Sequence, residues 1–356
     1  MEVSNRLSGL FNDSSHNLRG RVIAIYVLLI TANIAAWAWA FVAFHTYPLL
    51  LGTSFLAYAF GLRHAFDADH IAAIDNVTRK LMQESKRAVS VGLFFSLGHS
   101  TVVVLLSVGI AVATASLQSQ FDMFKSVGGV IGTLVSAAFL FVIALANVFV
   151  LISIYRVFQT VRNGGGYVEE DVDVMLANRG FIARICRRLF RLIERSWHMY
   201  PLGFLFGLGF DTATEVGLLG ISATQASQGL SIWSILVFPA LFTAGMTLMD
   251  TTDSILMLGA YGWASVKPIR KLYYNLTITA VSVIIAVVVG GLEILNLIGD
   301  QLGLTDGNGF WGAIGILNGN FGVLGYVIVG IFAAAWLISY LIYRINRYDE
   351  IEVSAT

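Results

Sequence analysis

The sequence predicts an all-α, polytopic membrane protein with eight transmembrane helices and both termini in the cytoplasm. Of its 356 residues, 57% are hydrophobic and only 12% are charged, and the mean hydropathy is +0.76. Soluble globular proteins carry about 25% charged residues, so a chain with half that share cannot cover its surface in water. The chain has only four prolines, which favours long uninterrupted helices. We therefore expect the lipid bilayer to surround much of the protein.

Eight segments are long and apolar enough to cross a bilayer, whose hydrocarbon core requires about 20 residues of helix. The second and fifth segments contain several charged residues; they are included because their ends are strongly apolar and because the loop charges require them. The predicted spans are residues 21–43, 49–76, 89–116, 127–158, 200–226, 230–262, 272–298 and 321–344.

The distribution of basic residues predicts the orientation of these spans. Twenty of the 22 basic residues lie in the two terminal segments, in the loops after the second, fourth and sixth spans, or at the span ends beside them. The opposite loops hold only Lys125, and Arg63 lies inside a span. Because Lys and Arg accumulate in cytoplasmic loops, both termini are expected in the cytoplasm.

A single transmembrane domain is predicted over residues 1–356, with one long cytoplasmic loop at 159–199. In that loop, apolar residues recur at helical spacing from Ile182 to Ile193 among several arginines. This pattern is typical of an amphipathic helix on an anionic membrane surface. The first twenty residues are polar, so the first span is expected to be an uncleaved anchor rather than a signal peptide.

The composition also argues against several classes of function. The formal net charge is zero, so nothing suggests a nucleic-acid partner. The single cysteine, Cys186, excludes an intramolecular disulfide and any cysteine-based zinc or iron–sulfur site. The chain has no Gly-x4-Gly-Lys-Ser/Thr loop, so it carries no ATPase of the Walker type. No bound cofactor is expected.

The second span contains six ionisable groups within thirteen residues. Ionisable groups at membrane depth are costly and usually mark a substrate pathway. On a regular helix, His64, Asp67 and His70 would share a face about 120° wide. Asp69 falls off that face, so it either meets another helix or marks a distortion of this one.

The residue types in this span favour a metal site. Two imidazoles and one or two carboxylates suit a divalent first-row transition metal, whereas magnesium and calcium prefer sites made of oxygen atoms alone. The alternative is a buried salt-bridge network between Arg63 and the aspartates. The predicted metal ligands are His64, Asp67, Asp69 and His70.

Three further spans carry polar groups that could continue a cation pathway. In the third span, His99 could be a ligand, a residue that supports a ligand, or an ordinary packing histidine. Asp211 and Glu215 share a face of the fifth span, and Asp250 and Asp253 share a face of the sixth. Carboxylates this close together inside a membrane need a cation, a proton or a water-filled cavity.

The first and fourth spans carry weaker signals. Asn33 and Asn147 could each touch the pathway, although a hydrogen bond between helices is the more ordinary explanation. Asn33 is kept among the candidate pathway residues.

These motifs resemble the signatures of the nickel/cobalt transporter family of permeases. The segment Arg-His-Ala-Phe-Asp-Ala-Asp-His-Ile at 63–71 looks like the principal signature of that family. Three more motifs resemble further signatures in the expected order: Leu-Gly-His-Ser-Thr at 97–101, Leu-Gly-Phe-Asp-Thr-Ala-Thr-Glu at 208–215 and Gly-Met-Thr-Leu-Met-Asp-Thr-Thr-Asp at 245–253.

The resemblance implies high-affinity uptake of Ni²⁺, Co²⁺ or both across the bacterial cytoplasmic (inner) membrane, where the metal is substrate rather than cofactor. It gives the four residues of the second span the roles of the metal site. Phe66 stands where family members differ, and its bulk could tune nickel against cobalt. The residues that match pathway or supporting positions are Phe66, His99, Asp211, Glu215, Asp250 and Asp253.

Secondary transport is the expected mechanism. Moving one charge through 100 mV is worth about 2.3 kcal/mol, so a divalent ion gains roughly 7 kcal/mol at about 150 mV. A short internal similarity also relates residues 61–67 to 207–211, and residues 93–98 to 241–245. Because these copies are three spans apart, they would be inverted relative to each other, which is a common plan for transporters.

Three other hypotheses stay open from the sequence. A membrane metalloenzyme would need more histidines near the metal or a His-Glu-x-x-His pair, and neither is present. An exporter of the same metals would have the same site chemistry, and only the resemblance favours import. A sensor without transport is disfavoured because carboxylates of the fifth and sixth spans extend beyond the presumed site.

Overall fold

The computed structural model describes residues 13, 17–84, 86–112, 118–162, 193–208, 230–264, 268–305 and 309–345, with single positions between 215 and 225. These residues form helices and short connections and contain no strand, which confirms the all-α class for this part of the chain. The predicted amphipathic helix, apart from its last residue Ile193, lies outside the described residues. So does most of the fifth span, including Asp211.

Eleven α-helices are labelled here in chain order within the described segments. The first five are α1 (Leu18–Phe44), α2 (Pro48–His64), α3 (Ala68–Gln83), α4 (Val91–Val112) and α5 (Gln118–Arg162). The others are α6 (Met199–Phe206), α7 (Ile232–Ile235), α8 (Val237–Ala264), α9 (Pro268–Gln301), α10 (Phe310–Gly319) and α11 (Phe321–Ile345).

Six helical segments of the described chain are long and apolar enough to cross a membrane. They coincide with the first, third, fourth, sixth, seventh and eighth predicted spans, and α6 covers the beginning of the fifth. The six segments are Leu18–Phe44, Val91–Gly109, Val130–Thr160, Ile232–Gly259, Leu276–Gln301 and Val323–Ile345.

The second predicted span is a broken helix, not a continuous one. α2 ends at His64, α3 begins at Ala68, and Asp67 between them has an extended backbone with φ −65° and ψ 145°. The span predicted over residues 49–76 is therefore interrupted at this point. Of the two alternatives for Asp69, contact with another helix or a distortion of its own helix, the structure shows the distortion. α3 also continues to Gln83, past the predicted end of the span at residue 76.

Charge explains why the chain breaks at this point. Arg63 and His64 occupy the last turn of α2, and Asp69 lies in the first turn of α3. The helix dipole favours positive side chains at a C-terminus and negative ones at an N-terminus. Two shorter helices therefore suit this order of charges better than one long helix does.

α8 is the central helix of the fold, because it packs against α1, α2, α3 and α4. α3 is almost entirely buried and also packs against α9 and α11. α9 lies along α5 in the most extensive helix contact among the described elements. The two ends of the α2–α3 break therefore lie inside the bundle.

The α2–α8 pair packs backbone to backbone. A Cβ placed on Gly61 would lie 2.1 Å from the carbonyl oxygen of Phe242, and one on Gly245 would lie 2.9 Å from that of Tyr58. Small residues let transmembrane helices approach this closely.

The α4–α6 pair repeats the same contacts. A Cβ placed on Gly203 would lie 2.0 Å from the carbonyl oxygen of Phe95, and one on Gly98 would lie 2.0 Å from that of Tyr200. In both pairs, a Tyr-x-x-Gly segment of one helix packs on a Phe-x-x-Gly segment of the other. The internal similarity is thus present in the packing, where Gly98 corresponds to Gly245 as predicted. The rest of the register differs: Gly61 corresponds to Gly203 instead of Gly207, and Phe242 corresponds to Phe95 instead of Phe94.

Candidate metal centre

The break between α2 and α3 places two histidines in the middle of the bundle. His64 is the last residue of α2, His70 is in the first turn of α3, and α4 contributes His99 beside them. All three side chains are buried, and their ring centroids are 4.7–4.8 Å apart. One nitrogen from each ring can be chosen so that all three lie within 4.8 Å of one another.

Two ring nitrogens and a carboxylate point to the same place. The Nε2 atoms of His64 and His99 are 3.0 Å apart. Oε1 of the buried Glu215 lies 2.8 Å from Nε2 of His99 and 3.8 Å from Nε2 of His64. This arrangement offers two nitrogen atoms and one anionic oxygen to a single cation.

Two other carboxylates contact the Nδ1 atoms of His64 and His70. Oδ2 of Asp67 lies 2.7 Å from Nδ1 of His64, and Oδ2 of Asp250 lies 3.3 Å from Nδ1 of His70. A carboxylate on Nδ1 orients an imidazole and directs its Nε2 towards a metal. Nε2 of His70 is buried and has no hydrogen-bond partner among the described residues. A neutral imidazole nitrogen in this position is available as a ligand atom.

Two phenylalanines form the apolar walls of the centre, and the sequence did not point to them. The ring of Phe242 lies 5.5 Å from that of His64, and the ring of Phe95 lies 4.8 Å from that of His70. They are the two phenylalanines of the repeated Phe-x-x-Gly pattern. This repeated pattern could have pointed to the two phenylalanines, but only if its copies had been aligned in the register that the helix packing shows.

The remaining predicted residues have different surroundings. Oδ1 of Asp69 accepts a hydrogen bond of 2.9 Å from the backbone N–H of His70, at the start of α3. Asp253 lies one turn beyond Asp250 on α8, and its Oδ2 is buried and has no hydrogen-bond partner within the described segments. The ring of Phe66 packs 4.7 Å from that of Tyr326 on α11.

Asn33 makes hydrogen bonds between helices. Its side chain donates to the carbonyl oxygen of Leu29 in α1 and to that of Ala244 in α8, and it accepts from the hydroxyl of Tyr58 in α2. These bonds match the more ordinary of the two explanations that the sequence offered for Asn33.

The salt-bridge alternative for the second span has no counterpart here. In the described part of the chain, the ion pairs at the break join His64 to Asp67 and Glu215, and His70 to Asp250, and none joins Arg63 to an aspartate. Farther along α3, Oδ2 of Asp75 accepts a 2.6 Å hydrogen bond from Ser282 of α9.

The chain is similar to known proteins over most of its length. Residues 50–342 match the NicO family, described as high-affinity nickel-transport protein. A high-affinity nickel transport protein of Cupriavidus necator is 61% identical over 349 residues, which cover 98% of this chain and 99% of that protein.

More distant relatives carry both metal names. A high-affinity nickel-transport protein of Helicobacter pylori is 42% identical over 300 residues, which cover 83% of this chain and 89% of that protein. A cobalt transport protein of Rhodococcus rhodochrous is 40% identical over 290 residues, or 81% of each chain. No solved structure matches the chain.

Proposed function

Because the chain belongs to the family of high-affinity nickel-transport proteins, we propose that it imports divalent nickel, cobalt or both across the bacterial cytoplasmic membrane by secondary transport. The family and the apolar helices establish a multi-pass nickel or cobalt transport protein rather than an enzyme. The direction of transport, the cytoplasmic membrane and transport without nucleotide hydrolysis are what the proposal adds.

The convergence of His64, His70 and His99 carries the proposal. Imidazole is a favoured ligand for nickel and related metals, and its affinity for alkali and alkaline-earth ions is low. Three buried imidazoles with carboxylates beside them therefore favour a divalent transition metal over the more abundant cations. The negative charges of Asp67 and Glu215 offset the cost of bringing a divalent ion into this buried place.

The spacing of two nitrogens supports a particular coordination. At a metal–imidazole bond length of about 2.1 Å, nitrogens 3.0 Å apart subtend an angle of about 90° at the ion. Adjacent ligands at a right angle suit the tetragonal geometries that Ni²⁺ adopts, and suit a tetrahedral site less well. His64 and His99 are therefore proposed as neighbouring ligands of one ion.

We propose that the other predicted residues orient the ligands or line the path of release. Asp67 and Asp250 orient the imidazoles, and Asp69 stabilises the start of α3 so that His70 faces the centre. Release towards the cytoplasm is proposed along α3 and α8. The residues proposed to line the pathway are Asp211, Glu215, Asp250 and Asp253.

The proposed topology has eight spans, with both termini in the cytoplasm. It is supported by the loop charges and by the six apolar helices of the described segments. The repeated packing of α2 on α8 and of α6 on α4 supports an inverted repeat, and in such folds one copy rocks against the other to open the site alternately to each side.

The test is uptake of radiolabelled nickel and cobalt, at submicromolar concentration, by cells that express the chain. We expect accumulation above background, and we expect His64→Ala to abolish it because a ligand is lost. His45→Ala is the matched control, since His45 is an exposed histidine at the end of α1. Membrane expression of each variant is measured in parallel.

Two results would contradict the proposal. If cells preloaded with nickel lose it faster when they express the chain, then the protein is an exporter. If His64→Ala accumulates metal as the wild type does, then the three-histidine centre is not the transport site.

A further inference from the structure

α11 contacts the α2–α3 break so closely that no side chain would fit at Gly325. Gly325 of α11 lies so near the break that a Cβ on it would be 1.4 Å from the carbonyl oxygen of Phe66 and 2.6 Å from the carbonyl carbon. The next residue, Tyr326, places its ring 4.7 Å from the ring of Phe66, at an interplanar angle of 32°. Backbone and side chain of Phe66 are thus both in contact with α11.

Phe66 is the middle residue of the break. Its N–H donates to the carbonyl oxygen of Arg63 at 3.0 Å, and the N–H of Asp67 donates to that of His64 at 2.9 Å. These bonds form a tight turn on one side of the Phe66–Asp67 peptide, and Gly325 closes the other side. Rotation of the peptide would break the hydrogen bond to His64 and take its oxygen away from the contact with Gly325.

The position of this peptide determines the position of two histidines. Asp67, which follows it, holds His64 through the 2.7 Å contact with Nδ1. Three residues later, His70 points into the same centre from the first turn of α3. A rotation of the peptide would therefore change the separation of two metal ligands that belong to different helices.

We propose that Gly325 and Tyr326 are positioning residues for metal selectivity: they fix the conformation of the break and so set the ligand spacing that distinguishes nickel from cobalt. This inference rests on the proposed function. Divalent metals compete for the same ligands, so a site selects among them by geometry more than by intrinsic affinity. A change in the break should therefore affect the two metals unequally.

The experiment compares Ni²⁺ and Co²⁺ dissociation constants of the full-length protein, purified in detergent, by titration calorimetry. We expect Gly325→Ala to weaken binding on the order of 10- to 100-fold, because changes to groups that orient metal ligands have effects of that size on affinity. We also expect the ratio of the two constants to change. Gly330→Ala is the matched control on α11, since no atom of the described residues lies within 4 Å of where its Cβ would be.

A second pair of variants covers the case in which Gly325→Ala does not reach the membrane. Tyr326→Leu removes the ring that packs on Phe66 and should shift the nickel-to-cobalt ratio, whereas Tyr326→Phe keeps the ring and should leave it unchanged. The hydroxyl of a tyrosine that is 52% exposed is not required for this contact.

The outcomes separate the two hypotheses. The positioning role is overturned if Gly325→Ala and Tyr326→Leu leave both constants unchanged, or weaken both metals by one common factor. A wild-type protein that binds neither metal would overturn the proposed function itself, and the role in selectivity with it.

Discussion

His70 is fixed from one side and available from the other. Its Nδ1 faces Asp250 at 3.3 Å, while its Nε2 is buried without a hydrogen-bond partner in the described part of the chain. A carboxyl group on Nδ1 orients the ring and supports its other nitrogen as a metal ligand. Asp250 is itself fully buried on α8.

Asp250→Asn tests this arrangement. The amide keeps the shape of the side chain but removes its charge, so we expect nickel affinity to fall by about 10- to 100-fold, as is usual when the partner of a metal-binding histidine is changed. The measurement is the dissociation constant of the purified protein. Asp300→Asn is the control, because Asp300 is an exposed carboxylate at the end of α9. Equal affinities in the two variants would contradict the role of Asp250.

At this scale the sequence predicted part of the candidate site. The density of ionisable groups in one apolar segment pointed to His64 and His70, because such groups are costly in a membrane. The partner of each imidazole could not be predicted, since Asp67 and Asp250 reach different rings only after the helix breaks. For the same reason, the sequence could not decide whether His99 is a ligand, a residue that supports a ligand or a packing histidine. The contact between Phe95 and His70 could not be predicted either, because it depends on which face of α4 meets the centre.

Close backbone contacts join the helices around the centre. α2 meets α8, and α6 meets α4, through glycines that have a carbonyl oxygen where a Cβ would be. Six apolar helices were predictable from hydropathy alone, whereas the break in the second span was not. The change from Arg63 and His64 to Asp67 and Asp69 was its available signal, because such charges suit a helix end followed by a helix start.

Gly61→Ala tests the packing of α2 on α8. The obstructing atom is a backbone oxygen of Phe242, 2.1 Å from the new Cβ, so one of the helices must move. We expect a loss of about 1–3 kcal/mol of stability, as for other overpacked sites, seen as a lower Tm of the purified protein. Gly52→Ala is the control on the same helix, because its Cβ would meet no atom within 4 Å. A Tm unchanged in both variants would contradict the close contact.

For the whole molecule, the proposed secondary transport would draw its energy from ion gradients and the membrane potential. A divalent ion that crosses without a compensating charge carries two charges through the field. Its equilibrium accumulation should then change by roughly 10³-fold for each 100 mV. Transport that is electrically neutral, for example by exchange for two protons, would not respond in this way.

The potential dependence can be measured in proteoliposomes. We expect nickel accumulation without ATP to rise steeply as a potassium diffusion potential makes the interior more negative. Cys186, the single cysteine, lies in the loop proposed to be cytoplasmic, so a membrane-impermeant thiol reagent reports the orientation of the molecules. Accumulation that requires ATP would contradict secondary transport, whereas accumulation without ATP that does not respond to the potential would indicate electrically neutral exchange instead of uncompensated entry. Labelling of Cys186 from outside intact cells would contradict the topology.

The two matched helix pairs suggest how such a chain arises. A Tyr-x-x-Gly segment on a Phe-x-x-Gly segment, present twice, is the contact that a half-length protein would make with its own copy inserted in the opposite sense. Duplication and fusion of one short gene would produce both interfaces at once. The two halves differ in chemistry: His64, His70 and His99 all belong to the first half, whereas Glu215 and Asp250, which face them, belong to the second. Neither half alone holds the whole candidate centre, so separating the halves would take these carboxylates away from the three imidazoles.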